Sequence, residues 1–98
     1  MKPCKKLEIV IEKPLVNRLC DRLTAIGAPG YTVLDYARGS GDRGERRGDE
    51  PTSTSSNSVV IVACEDEALL NELIEAIRPL LSRSGGVCLV SDAYWVRH

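Results

Sequence analysis

Residues 5–12 (KKLEIVIE) alternate, placing Leu7, Ile9 and Ile11 on one side and Glu8, Val10 and Glu12 on the other, the period of a half-buried strand. The period then changes. Pro14 suits the first turn of a helix, where its missing N–H does no harm, and Leu15, Leu19, Leu23 and Ile26 recur at helical spacing up to Gly27. A first helix over 14–26 is predicted. After the turn at 28–30, residues 31–37 (YTVLDYA) are rich in β-branched and aromatic side chains and form a second strand. Residues 58–64 (SVVIVAC) are apolar on both faces, as in a central strand. Glu65, Asp66 and Glu67 set negative charge at the start of a second helix, whose stripe is Leu69, Leu70, Leu73, Ile74, Ile77 and Leu81. Pro79 is a candidate kink in that helix, residues 82–86 (SRSGG) break it, and 87–93 (VCLVSDA) make a fourth strand, leaving 94–98 to finish the chain.

The order βαββαβ predicts an α+β, ferredoxin-like sandwich: an antiparallel four-stranded sheet with two helices on one face, and the first and third strands central. Residues 1–98 are expected to form one domain, large enough to fold without metal or disulfide staples. Two helices cannot cover both faces of the sheet, so Val10 and one side of the third strand look outward. An apolar face of this kind implies a partner surface, most simply a further copy of the chain.

The third strand is preceded by a long interruption. Residues 38–57 (RGSGDRGERRGDEPTSTSSN) hold four Gly, four Arg and four acids, then a Ser/Thr tract, with no aliphatic or aromatic side chain. They read as a structureless loop inside a compact domain, which is usually functional or disordered. Over the whole chain 13 Lys and Arg oppose 14 acids, so no global field draws the protein to nucleic acid or to an anionic membrane. Any anion site must be local. Cys4, Cys20, Cys64 and Cys88 are widely spaced, without a CxxC pair or a zinc-ligand pattern, and read as reduced thiols packed as small hydrophobes. Neither a signal peptide nor a membrane span is recognisable, and a cytoplasmic protein is expected.

Three small-residue elements stand at strand ends: 30–33 (GYTV), 38–43 (RGSGDR) and 82–86 (SRSGG). Glycines let backbone amides approach a phosphate, and arginine adds a charge-assisted fork. No P-loop and no strand-GxGxxG-helix fingerprint is present. An enzyme of this fold needs a nucleophile or base held by an orienting partner, and the one histidine, His98, is terminal. An RNA-binding sheet needs aromatics on its central strands, and these have none. Paired cysteines for a metal carrier are absent.

The segment KKLEIVIEKPLVNRLCDRLTAIGAPGYTV, the Gly-rich loop, SVVIVACEDE and the helix running to the GlyGly pair together resemble the PII signal-transduction superfamily over nearly the whole chain. The sharpest parts are Lys5-Lys6-Leu7-Glu8, the Gly30, Thr32 and Val33 pattern, and a long loop in the place of the family's T-loop, here about 38–57. The resemblance implies a homotrimer that binds adenine nucleotides in clefts between subunits, with a T-loop that changes shape with the ligand and docks on a target. Carried over by position, Thr32 and Ala63 flank the adenine. Gly39, Ser40, Gly41 and Arg43 lie at the base of the T-loop, if one residue is inserted before the glycine pair. Ser84, Gly85 and Gly86 stand where the phosphate-binding B-loop lies, and Arg97 substitutes for C-terminal arginines.

The departures carry information too. The B-loop is short, and Val87 occupies the place of its phosphate-binding lysine, which implies ADP or AMP in preference to ATP. Arg46 replaces the tyrosine that the family uridylylates, which excludes that modification there. Short chains with this B-loop, and the run EKPL…GYTV, look most like the PII-like branch linked to inorganic carbon. The implied second ligand is bicarbonate, and the implied target is a bicarbonate transporter or a carboxysome component, with carboxysome association following from the latter. The alternative is a small ferredoxin-like enzyme or a protein-interaction module without nucleotide sensing. Bland readings compete for single residues. Arg46 and Arg47, interleaved with acids, suit a solvated loop; Ser53, Ser55 and Ser56 suit a polar linker more than phosphorylation. Tyr36 and Trp95 suit packing at an edge or interface more than stacking on a base, and His98 suits a frayed end.

Overall fold

The computed structural model describes residues 1–41, 44–46 and 56–96. Strand β1 (Lys2–Glu12) is followed by a 3-10 turn (Lys13–Leu15) and helix α1 (Val16–Ile26). The predicted helix at 14–26 is thus divided: Pro14 lies in the 3-10 turn and the α-helix begins after it. It ends at Gly27, whose φ of 105° suits a residue without a side chain and whose N–H donates to the Leu23 and Thr24 carbonyls. Strand β2 (Thr32–Ala37) leads to two short strands, β3 (Gly39–Gly41) and β4 (Gly44–Arg46), which pair antiparallel as Gly39 with Arg46, Ser40 with Glu45 and Gly41 with Gly44. The loop expected to be structureless therefore opens with a ladder. The ladder is one of backbone pairing, and the sequence there has no apolar alternation to be read.

Strand β5 (Asn57–Cys64), helix α2 (Glu67–Ser84) and strand β6 (Val87–Trp95) complete the chain. The Asp66 side chain caps α2, accepting from Ala68 N at 2.9 Å and Leu69 N at 3.2 Å. Replacing Asp66 by alanine is expected to cost about 1 kcal/mol, roughly 4–8 °C of melting temperature by circular dichroism. The helix runs on through Pro79 and takes in residues 82–84, which read as a breaker. Leu80 and Ser84 continue its buried side, and the Ser84 hydroxyl donates to the Leu80 carbonyl at 2.8 Å. At the other end, β1 and β6 outrun their predicted limits because Lys2–Cys4 pair with Ala93–Trp95. Cross-strand hydrogen bonding overrides sequences that carry no strand pattern there.

The sheet is antiparallel in the order β2-β5-β1-β6, so β5 and β1 are central as predicted. Leu7, Ile9, Ile11, Val60, Val62 and Cys64 are fully buried against Leu19 and Leu23 of α1 and Leu73, Ile77 and Leu80 of α2. Arg22 Nη1 donates to the Ala76 carbonyl at 3.1 Å, joining the two helices. Alternation along each strand sends the other set of side chains to the opposite face. Cross-strand register aligns Leu34, Val59, Val10 and Val87 in one row there, and Thr32, Ile61, Glu8 and Leu89 in the next. Leu34 is 53% and Leu89 59% exposed, so this apolar face is uncovered within one chain.

Candidate functional site

The first group of candidate residues lies on β2 and its central neighbour. Thr32 opens β2, is exposed, and pairs with Ile61. Ala63 is two residues further along β5, opposite Lys6, and shares its face with Ile61 and Thr32. The sequence-predicted pair is therefore diagonal on the uncovered face, at the end where β2 begins. Tyr31 precedes Thr32 and lies by Cys20 of α1. Hydrogen bonding with that thiol, then its charge, raises the Tyr31 phenol above its usual range. The Cys20 thiol is pushed up by burial and drawn down by the same bond. The start of β2 is thus tied to the first helix.

The second group follows the far end of β2. Leu34 pairs with Val59 and Ala37 with Asn57, so β2 advances three residues while β5 advances two. Asp35 and Tyr36 together oppose Ser58, which makes a β-bulge. Across it, the wholly buried Ser58 hydroxyl donates to Asp35 Oδ1 at 2.6 Å. Gly39, Ser40 and Gly41 form β3 directly beyond it. The return of the loop is also anchored: Ser56 is 2% exposed and its carbonyl accepts from Lys13 N at 2.9 Å. Ser56 is accordingly a packed residue, unsuited to modification. Arg43, Ser53, Ser55, Arg97 and His98 lie outside the described residues.

The third group is at the opposite edge of the sheet. Ser84 ends α2, Gly85 adopts a φ of 73°, and the amides of Gly85 and Gly86 both donate to the Leu81 carbonyl, at 2.9 and 3.2 Å. The Ser84 hydroxyl accepts from Gly86 N at 3.3 Å besides donating to Leu80. Polar groups that a short phosphate loop would present are here engaged in ending the helix. Val87 pairs with Val10 and stands 49% exposed on the uncovered face.

Charge on that face is sparse. Lys6 Nζ and Glu8 Oε1 are 3.1 Å apart beside the apolar rows. Lys5 pairs with Asp92 on the other side, and hydrogen bonding to Asp92, then its charge, raises the Lys5 ammonium. Among the described residues no cluster of three potential metal ligands occurs, and no helix is long and apolar enough to cross a membrane. Trp95 is 44% exposed opposite Lys2, so it is not a core residue of its own chain. Sequence reading missed the pairing of Asp35 with Ser58; the signal was an aspartate, rare in strands, within an otherwise apolar run.

The sequence matches the family described as "Nitrogen regulatory protein P-II" over residues 4–98. No curated protein matches it significantly. Among solved structures, CPII, a nitrogen regulatory PII-like protein from Thiomonas intermedia K12 bound to ADP, AMP and bicarbonate, is 30% identical with a TM-score of 0.86, over 97% of this chain and 90% of that one. The apo form of CPII is 29% identical with a TM-score of 0.77, over 98% and 95% of the two chains. A DUF3240 family protein from Shewanella baltica OS155, 12% identical with a TM-score of 0.76 over 100% and 98%, shares the fold.

Proposed function

This chain belongs to the nitrogen regulatory protein P-II family, and we propose that it is a non-enzymatic, PII-like sensor. It binds ADP or AMP, and bicarbonate, in clefts between the subunits of a homotrimer. The observation that carries this reading is the placement of the small-residue elements. Ala37 is level with Glu12 and Gly86 packs on Val10, so the base of the loop and the Ser84–Gly86 turn share one end of the sheet. They occupy its two edges, β2 and β6, separated by three strand spacings, roughly 14 Å. One chain cannot close a pocket between them. A second copy, laid against the uncovered apolar face, brings the β2 edge of one subunit beside the β6 edge of another.

Thr32 and Ala63 then flank the base, and Gly39, Ser40, Gly41 and Arg43 take the phosphates. Thr32 is level with Glu8 and Ala37 with Glu12, four residues along β1; the span of about 13 Å suits a nucleoside carrying two phosphates. Ser84, Gly85 and Gly86 serve as a small floor to the cleft, because their hydrogen-bonding groups are engaged by Leu80, Leu81 and one another. With Val87 at the lysine position, Arg43 and Arg97 are the cations of the site. That charge favours ADP and AMP over ATP. CPII, similar over nearly the whole chain, was solved with ADP, AMP and bicarbonate, which supports the ligand set.

The response is a population shift. Ligand held by the loop base favours one loop arrangement in proportion to its differential affinity for the two. That arrangement controls a target in inorganic-carbon uptake or fixation, a bicarbonate transporter or a carboxysome component, from the cytoplasm. Calorimetric titration with AMP, ADP and ATP, each with and without bicarbonate, tests the reading. ADP and AMP are expected to bind more tightly than ATP, and bicarbonate to strengthen them. Gly41→Val is expected to weaken ADP at least tenfold while sedimentation still shows the assembled protein. Absence of adenylate binding by the unaltered protein would overturn the sensor in favour of a protein-interaction module.

A further inference from the structure

The strand that leads into the loop base carries a register shift. The family resemblance places Gly39 and Gly41 at the loop base only with one residue inserted before them, and β2 advances by one residue more than β5 between Leu34 and Ala37. The extra residue is taken up at Asp35 and Tyr36. Side chains alternate along a strand, so this single step reverses the face taken by Ala37 and by the positions after it. Without the bulge Asn57 would oppose Tyr36; with it, Asn57 opposes Ala37. The phase of β3 relative to the sheet is therefore decided here.

What holds the bulge is a side-chain bond. Ser58 is the one residue opposite both Asp35 and Tyr36, it is wholly buried, and its hydroxyl donates to Asp35 Oδ1 at 2.6 Å. The carboxylate itself is exposed, so water can serve it if the bond breaks. The buried hydroxyl has no such recourse. We propose that Asp35 and Ser58 are a positioning pair that sets the register of the loop base, and so the aim of Gly39, Ser40 and Gly41 toward the ligand. The inference rests on the sensor reading above. Neither residue touches ligand; both act through the bulge.

The experiment compares Ser58→Ala, Asp35→Ala, the double variant and Asp35→Asn, in the assembled protein, with Ile77→Val in the core as a control for lost stability. ADP titration and amide hydrogen exchange over residues 39–46 are the readouts. Each alanine variant is expected to weaken ADP about tenfold and to speed exchange at 39–46, and the double variant to be no worse than the weaker single, because both remove one bond. Asp35→Asn keeps an oxygen that can accept from Ser58 and should restore ADP binding to within about twofold. Ile77→Val should leave exchange at 39–46 unchanged. The proposal is overturned if Ser58→Ala matches the unaltered protein in both readouts, or if the two alanine effects simply multiply. If the unaltered protein binds no adenylate, the sensor reading fails by itself, and faster exchange at 39–46 confined to the alanine variants would still establish the pair.

Discussion

Replacing Gly86 by valine is expected to destabilise the protein by about 3 kcal/mol, roughly 12–24 °C of melting temperature for a domain of this size. A Cβ at Gly86 would stand 2.8 Å from the Val10 carbonyl oxygen and 2.9 Å from Leu81 Cδ2. The first of these atoms is backbone in a central strand and cannot swing aside. Val10 is paired with Val59 and Val87, so relief must come from moving β6 away from β1 or unwinding the end of α2. Either loses buried contact. At Gly85 the constraint is the φ of 73°; asparagine tolerates that region, so Gly85→Asn should cost only a few tenths to about 1 kcal/mol. Thermal melts of the two variants check the contrast. Similar small losses in both would mean that the close packing on Val10 is not a constraint in solution.

That contrast shows why the glycines of this chain were only partly legible. A Gly-rich run at a strand end is compatible with a helix cap, a tight approach of two backbones, or a seat for phosphate, and composition does not separate them. Residues 85 and 86 are the first two, a helix cap and a close approach to the Val10 backbone. The core was more readable. Leu7, Ile9 and Ile11 are buried as their alternation predicts, and so are Leu70, Leu73 and Ile77 of the α2 stripe, whereas Leu69, Ile74 and Leu81 are only partly buried and Leu80, outside the predicted stripe, is fully so. Element ends were less readable because they depend on partners: Lys2 and Trp95 are strand residues through each other, and β3 and β4 through backbone pairing of glycine with its neighbours. The bulge in β2 needed the register to be found.

The uncovered sheet face, which was legible, supports the other large prediction. Replacing Val59 by aspartate should convert the assembled protein into a monomer of 10.7 kDa and abolish ADP binding. Val59 lies in the row Leu34, Val59, Val10 and Val87, and it is only partly buried within its own chain. A carboxylate there meets water in the isolated fold, so the fold survives. In the proposed assembly it would be withdrawn from water opposite apolar side chains, at a cost on the order of several kcal/mol for each subunit. Lys6 is the nearest cation on that face by register, and Glu8 already pairs with it. Among the described residues, no free cation on this face is therefore placed by register to compensate the new charge. Sedimentation and far-UV circular dichroism separate the outcomes: a folded monomer that no longer binds ADP shows that the cleft is shared between chains. A folded monomer that still binds ADP would place the whole nucleotide site within one chain and remove the argument from the two sheet edges. A variant that remains assembled would show that copies meet elsewhere, and the apolar rows around Val59 would then need a different partner.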